Sequence, residues 1–202
     1  MMKHESLRRR RPIRSPKLRF LIVCEGEVTE PCYFKMLRHL MKSLIELEIR
    51  PGGDPKLLVE RAVQIKSKSD QLADRRADGF LTYDQVWCVF DVDQHERLSD
   101  ALQHARDNEI RVAVSNPCFE LWALLHFQDQ TAHIDRRKLR RLCKKYMPQY
   151  DKELPSAILV ELRSQAKGRA AQLDQWHENR GTIGANPSTG VYRLVAEIEA
   201  AS

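Results

Sequence analysis

Arg19-Phe20-Leu21-Ile22-Val23-Cys24-Glu25-Gly26-Glu27 and Val86-Trp87-Cys88-Val89-Phe90-Asp91-Val92-Asp93 share one layout. In each, an apolar run of about strand length ends in carboxylates. Both runs are continuous rather than alternating, which suits strands buried on two faces in a parallel sheet covered by helices. The carboxylates fall at the C-terminal end of each run, the edge where open α/β sheets bind ligands. Neighbouring strands lie about 5 Å apart, so Glu25 can face Asp91 if the two pair. Asp91 and Asp93 point the same way, because side chains in a strand repeat every two residues. Three carboxylates at one edge repel each other unless a cation sits among them, and hard oxygen ligands select Mg²⁺ or Mn²⁺. The pattern predicts a metal-dependent phosphoryl-transfer site with Glu25, Asp91 and Asp93 as its catalytic and metal-holding residues.

Outward from these runs the chain reads as alternating strands and helices. Gly26 permits a tight strand-to-helix turn. Thr29 is a candidate cap for a helix whose stripe is Tyr33, Phe34, Leu37, Leu40, Met41 and Leu44. Ile45–Arg50 reads as a second strand, Asp54-Pro55 as the start of a helix over 55–77, and residues 96–108 as a third helix. Ile110–Val114 is the fourth strand, and Ser115-Asn116-Pro117 opens a helix over 117–127. This order predicts a mostly parallel four-stranded sheet with crossover helices. From Thr131 the strand signal stops. Helices are expected over 135–147 and 155–178, then a loop over 181–188, then a last helix capped by Ser188 or Thr189. The organisation read from this is a basic, disordered tail over 1–17, an α/β core over 18–130, and a helical C-terminal extension over 131–202 packed on that core.

The net charge of +6 resides in the tail. Residues 1–17 hold seven Lys or Arg and one Glu, which leaves 27 basic and 27 acidic residues in the remainder. A tail of this kind suits non-specific contact with phosphates, or simple solvation. No run reaches the ~20 apolar residues of a membrane span, and the N-terminus lacks the apolar core of a signal peptide, so a cytoplasmic location is the default expectation. Cys24, Cys32, Cys88, Cys118 and Cys143 show no paired or zinc-finger spacing and read as packed thiols.

Further candidates lie on the same sheet edge. Asn116 suits a helix cap with Pro117 at the first helical position, and Glu120 then falls one place past the usual capping-box partner. Capping does not explain Glu120, so it joins the candidate metal ligands. Glu27, His95, Asn116 and Lys167 are accessory candidates. Glu30 is read as favouring a helix N-terminus and nothing more. Arg136, Arg137, Arg140, Arg141, Lys144 and Lys145 form the basic face of an amphipathic helix, which suits a nucleic-acid backbone or a solvated surface.

Four blocks carry a family resemblance. Leu21–Phe34, Val89–Asp93, Ser115–Trp122 and Asn186-Pro187-Ser188-Thr189 together resemble RloB-like proteins. That family is similar to the Toprim superfamily, found in topoisomerases, primases and nucleases of the overcoming-lysogenisation-defect type. The resemblance implies a Toprim-like fold with Mg²⁺ held by Glu25, Asp91 and Asp93. It also implies a nuclease of prokaryotic phage defence, associated with restriction loci and a separate ABC- or AAA-type ATPase. The chain has no G-x-x-x-x-G-K-[ST] phosphate loop of its own. Phe90-Asp91-Val92-Asp93 also looks like the strand-end motif of haloacid-dehalogenase-type phosphatases, but Gln94-His95 stand where that family continues Gly-Thr. A third alternative is a non-catalytic Toprim-like adaptor that binds nucleic acid or an ATPase.

Overall fold

The computed structural model describes residues 17–42, 44–49, 54–92, 98–148, 150 and 155–202. The expected tail, apart from Lys17, and the candidates Asp93 and His95 lie outside the described residues. In chain order the strands are β1 (Arg19–Cys24), β2 (Leu44–Ile49), β3 (Gln85–Asp91), β4 (Arg111–Asn116) and β5 (Ser188–Thr189). The helices are α1 (Thr29–Met41), α2 (Pro55–Arg76), α3 (Leu98–Asp107), α4 (Glu120–Leu125), α5 (Arg136–Tyr146), α6 (Ser156–Glu178) and α7 (Val191–Ala200).

The sheet order is β2-β1-β3-β4-β5, with the first four strands parallel. Both faces of the central strands are covered, which is why their sequences read as unbroken apolar runs. Leu21, Val23, Val86, Cys88 and Phe90 pack on one face against Leu58, Val59 and Ala62 of α2 and Ala101 and Ala105 of α3. Phe20, Ile22, Cys24, Trp87 and Val89 pack on the other against Tyr33, Phe34 and Leu37 of α1. That second core runs on without a break into α4, α5, α6 and α7. Truncating a fully buried member such as Ile22 to Ala is expected to cost about 2–5 kcal/mol.

A five-stranded sheet replaces the expected four. β5 is two polar residues long, too short and too polar to leave an apolar signal, and it runs antiparallel to β4 through Ser115↔Thr189 and Asn116↔Ser188. The two hydroxyls of Ser115 and Thr189 meet at 2.9 Å in the interior, and Gly190 N–H donates to Val114 O at 2.9 Å. Ser188 and Thr189 are thus used by the sheet; Gly190 takes the cap position of α7, and Thr189 Oγ1 still accepts from the Val191 N–H at 3.4 Å. α1 begins at Thr29 itself, with no side-chain cap at Val28. Among the described residues no helix is long and apolar enough to cross a membrane.

Candidate metal centre

The chain leaves β1 for β2 on one side and returns to β3 on the other. This reversal between β1 and β3 opens a crevice at the C-terminal ends of the strands. A cleft of about 270 Å³ lies there, lined by Glu25, Gly26, Glu27, Glu30, Asp91, Phe119, Glu120, Arg136 and Arg140, among others. Register places its first two carboxylates. Cys24 pairs with Val89, Glu25 N–H donates to Val89 O at 3.1 Å, and Asp91 N–H reaches Glu25 Oε2 at 3.4 Å. Asp91 closes β3 on the same parity as Trp87 and Val89. Its side chain therefore falls on the face covered by α1, α4 and α5.

Glu120 is the first residue of α4, and its side chain is 8 % exposed. Tyr150 Oη donates to Glu120 Oε1 at 2.7 Å, and Arg140 Nε does so at 3.3 Å. Arg136 Nη2 lies 2.9 Å from Asp91 Oδ2. Ligand atoms of Asp91, Cys118 and Glu120 all lie within 4.8 Å of one another, close enough to share one cation.

Glu30 is the residue the sequence reading passed over. α1 starts at Thr29, so Glu30 sits in its first turn, and side chains on a helix lean toward the N-terminus. Its carboxylate folds back onto Gly26, where an added Cβ would lie 1.8 Å from Glu30 Oε2. Glycine at 26 therefore makes room for a buried carboxylate as well as a turn. The Gly26-x-x-x-Glu30 spacing across a strand-to-helix turn was the available signal.

The electrostatics are uneven. Burial, then Glu30, pushes the Asp91 carboxyl well above the usual carboxylate range; Glu120 and Glu25 add to this, and Arg136 only partly offsets it. Glu30 is pushed up to about 7, chiefly by burial and then by Glu120 and Glu25. Burial also acts against the Glu120 anion. Hydrogen bonds from Cys118, Tyr150 and its own backbone, with Arg140 beside it, outweigh that and hold Glu120 below its ordinary value. Burial and then the Glu120 charge push the Cys118 thiol far up, and the thiol hydrogen-bonds to the Glu120 carboxylate. Asp91 and Glu120 offer carboxylate oxygens, the hard ligands that suit Mg²⁺ or Mn²⁺, and Cys118 is the third ligand atom within reach.

The structure brings Glu25, Glu27, Asp91 and Glu120 to one cleft, with Arg136 and Arg140 beside them. Asn116 does not cap α4: a turn over 117–119 intervenes, and its side-chain amide donates to Gly184 O at 2.9 Å. Lys167 pairs with Glu199 across the α6–α7 seam and does not line the cleft. Arg137, Arg141, Lys144 and Lys145 are exposed on α5. The Asn186–Thr189 block is architectural. Asn186 accepts from Ile134 N–H at 3.0 Å and donates to Ile134 O at 2.9 Å, which fixes the entry to α5.

Fold and cleft together define a three-layer α/β protein with an acidic centre at the switch point of its sheet. The family model of RloB-like proteins matches residues 20–198, and the chain belongs to that family. No curated protein and no solved structure gives a significant match.

Proposed function

We propose that this chain is a Toprim-type nuclease that hydrolyses phosphodiesters with Mg²⁺ or Mn²⁺. On this reading it acts in prokaryotic phage defence alongside a separate ABC- or AAA-type ATPase. The observation that carries the chemistry is the convergence of Asp91 and Glu120 within 4.8 Å at the switch-point crevice. Asp91 and Glu120 would hold the cation, with Asp93 joining them as the family resemblance implies. When bound, a cation there supplies a water of lowered pKa and neutralises charge on the leaving oxygen. Glu25, whose Oε2 lies 3.4 Å from Asp91 N, is placed to complete the ligand set or to move a proton to or from the reacting oxygens. The exposed Arg137, Arg141, Lys144 and Lys145 supply positive charge along α5 for a nucleic-acid backbone.

The test is cleavage of duplex DNA, single-stranded DNA and structured RNA with Mg²⁺, Mn²⁺ or EDTA, with the Asp91→Ala variant alongside. Cleavage that needs the cation and is lost in the variant is the expected result. Metal-dependent cleavage retained by Asp91→Ala would defeat the assignment. One observation favours a second reading. Arg136 lies on Asp91 and Arg140 on Glu120, an arrangement that also suits a non-catalytic adaptor in which guanidinium groups replace the cation permanently. Absence of any divalent-cation binding would select that reading.

A further inference from the structure

Arg136 occupies an unusual position for a residue on a basic helix face. It is the first residue of α5, its side chain is 37 % exposed, and it turns inward onto the 18 % exposed Asp91. The entry to the helix is held by two systems. Asp135 accepts from Lys138 N–H at 2.9 Å, and the Asn186 amide grips both polar backbone groups of Ile134. The backbone is therefore anchored on either side of Arg136, while its long side chain lines the cleft and also donates to Pro117 O at 3.4 Å. Glu120 is held from two sides, by Tyr150 at 2.7 Å and by Arg140 at 3.3 Å.

Charge sets the two occupants of Asp91 against each other. A carboxylate oxygen that ligates a divalent cation has a doubly positive neighbour, which repels a guanidinium seated on the same group. The displaced side chain stays tethered at the cleft mouth. There its fork of N–H donors suits the paired oxygens of a phosphate. Resting on the reading that the cleft takes a divalent cation, we infer that Arg136 is a two-position residue. It neutralises Asp91 before the cation binds and binds a substrate phosphate oxygen afterwards, so that cation binding precedes and licenses phosphate binding.

The test uses the full chain, with Mg²⁺ titrated by calorimetry and inorganic phosphate followed by ³¹P line width. Removing the competitor is expected to tighten Mg²⁺ binding at least tenfold in Arg136→Gln. Lys138→Gln, an exposed charge lost from the same helix, should change it less than twofold. Arg136→Lys keeps the charge without the fork; it should bind Mg²⁺ within threefold of wild type and guards against a folding defect in the Gln variant. Phosphate lines should broaden with wild type plus Mg²⁺, and should stay sharp with wild type alone or with Arg136→Gln plus Mg²⁺. Unchanged or weaker Mg²⁺ binding in Arg136→Gln would overturn the competition. Equal broadening by Arg136→Gln and wild type in Mg²⁺, or no broadening by either, would overturn the phosphate role. Failure of every protein to bind Mg²⁺ would instead remove the metal-centre reading on which the inference rests.

Discussion

The two walls of the cleft hold buried glutamates in opposite states. On the α4–α5 wall, Glu120 accepts from Tyr150 and Arg140 and is held below its ordinary pKa despite burial. On the β1–α1 wall, Glu30 is equally buried, yet its pKa rises to about 7. Desolvation is similar for the two, so the difference lies in the donors. One wall is built to keep an anion in place, and the other tolerates an anion only when positive charge arrives from elsewhere. Asp91 lies between them with Arg136 as a partial counter-ion, and its pKa still rises. The guanidinium groups of Arg136 and Arg140 face five carboxylates, those of Glu25, Glu27, Glu30, Asp91 and Glu120, a shortage of positive charge that a divalent cation relieves.

The contrast is open to substitution. The largest effect is expected from Asp91→Ala, which removes the group between the walls: cleavage should fall by at least ~10³-fold while the circular dichroism spectrum stays that of the wild type. Glu30→Gln should act on stability, and with a definite sign. A carboxyl whose folded pKa is raised binds its proton more tightly in the folded state. Its destabilising effect is absent below about 4.5 and grows as pH rises to about 7. The variant should therefore be more stable than wild type at pH 8, by up to about 3 kcal/mol, and no more stable at pH 4. Urea unfolding at the two pH values reads this directly. Equal stability of the two proteins at pH 8 would mean that the walls do not differ as described.

Asn186→Ala removes both partners of the buried Ile134 backbone and should cost about 2 kcal/mol. Tyr150→Phe tests the other wall and should have the smallest effect on stability, roughly 1–2 kcal/mol in denaturant unfolding, because Glu120 keeps Arg140 and Cys118. Its informative readout is cation affinity, expected to weaken several-fold as Glu120 becomes easier to protonate.

Much of the fold was legible because burial on two faces leaves a plain mark. β1 and β3 appear as unbroken apolar runs, and their ends place Glu25 and Asp91 at one crevice. β5 left no such mark, since its hold on β4 rests on backbone pairing and one hydroxyl contact. Glu120 stood out in the sequence as an acid that capping did not explain, and it lines the cleft. Glu30 was absorbed by a sufficient local reason, the helix N-terminus, and its burial depends on how the β1–α1 turn folds over Gly26. Arg136 and Arg140 were grouped with the outer basic face of their helix. Spacing shows that they share a side of α5, but only the packing of α5 against α4 shows that this side meets the acids. Asn116 was an accessory candidate and Asn186 belonged to a block that carried the family resemblance, and the bonds both make hold loops in place.

The central claim is that this cleft is a divalent-cation site built on Asp91. Calorimetric titration of Mn²⁺ into the wild-type protein and into Asp91→Ala at pH 7.5 tests it most directly. The account predicts saturable binding by wild type that is lost in the variant. Binding of equal affinity and stoichiometry by both proteins would place the cation elsewhere and contradict it.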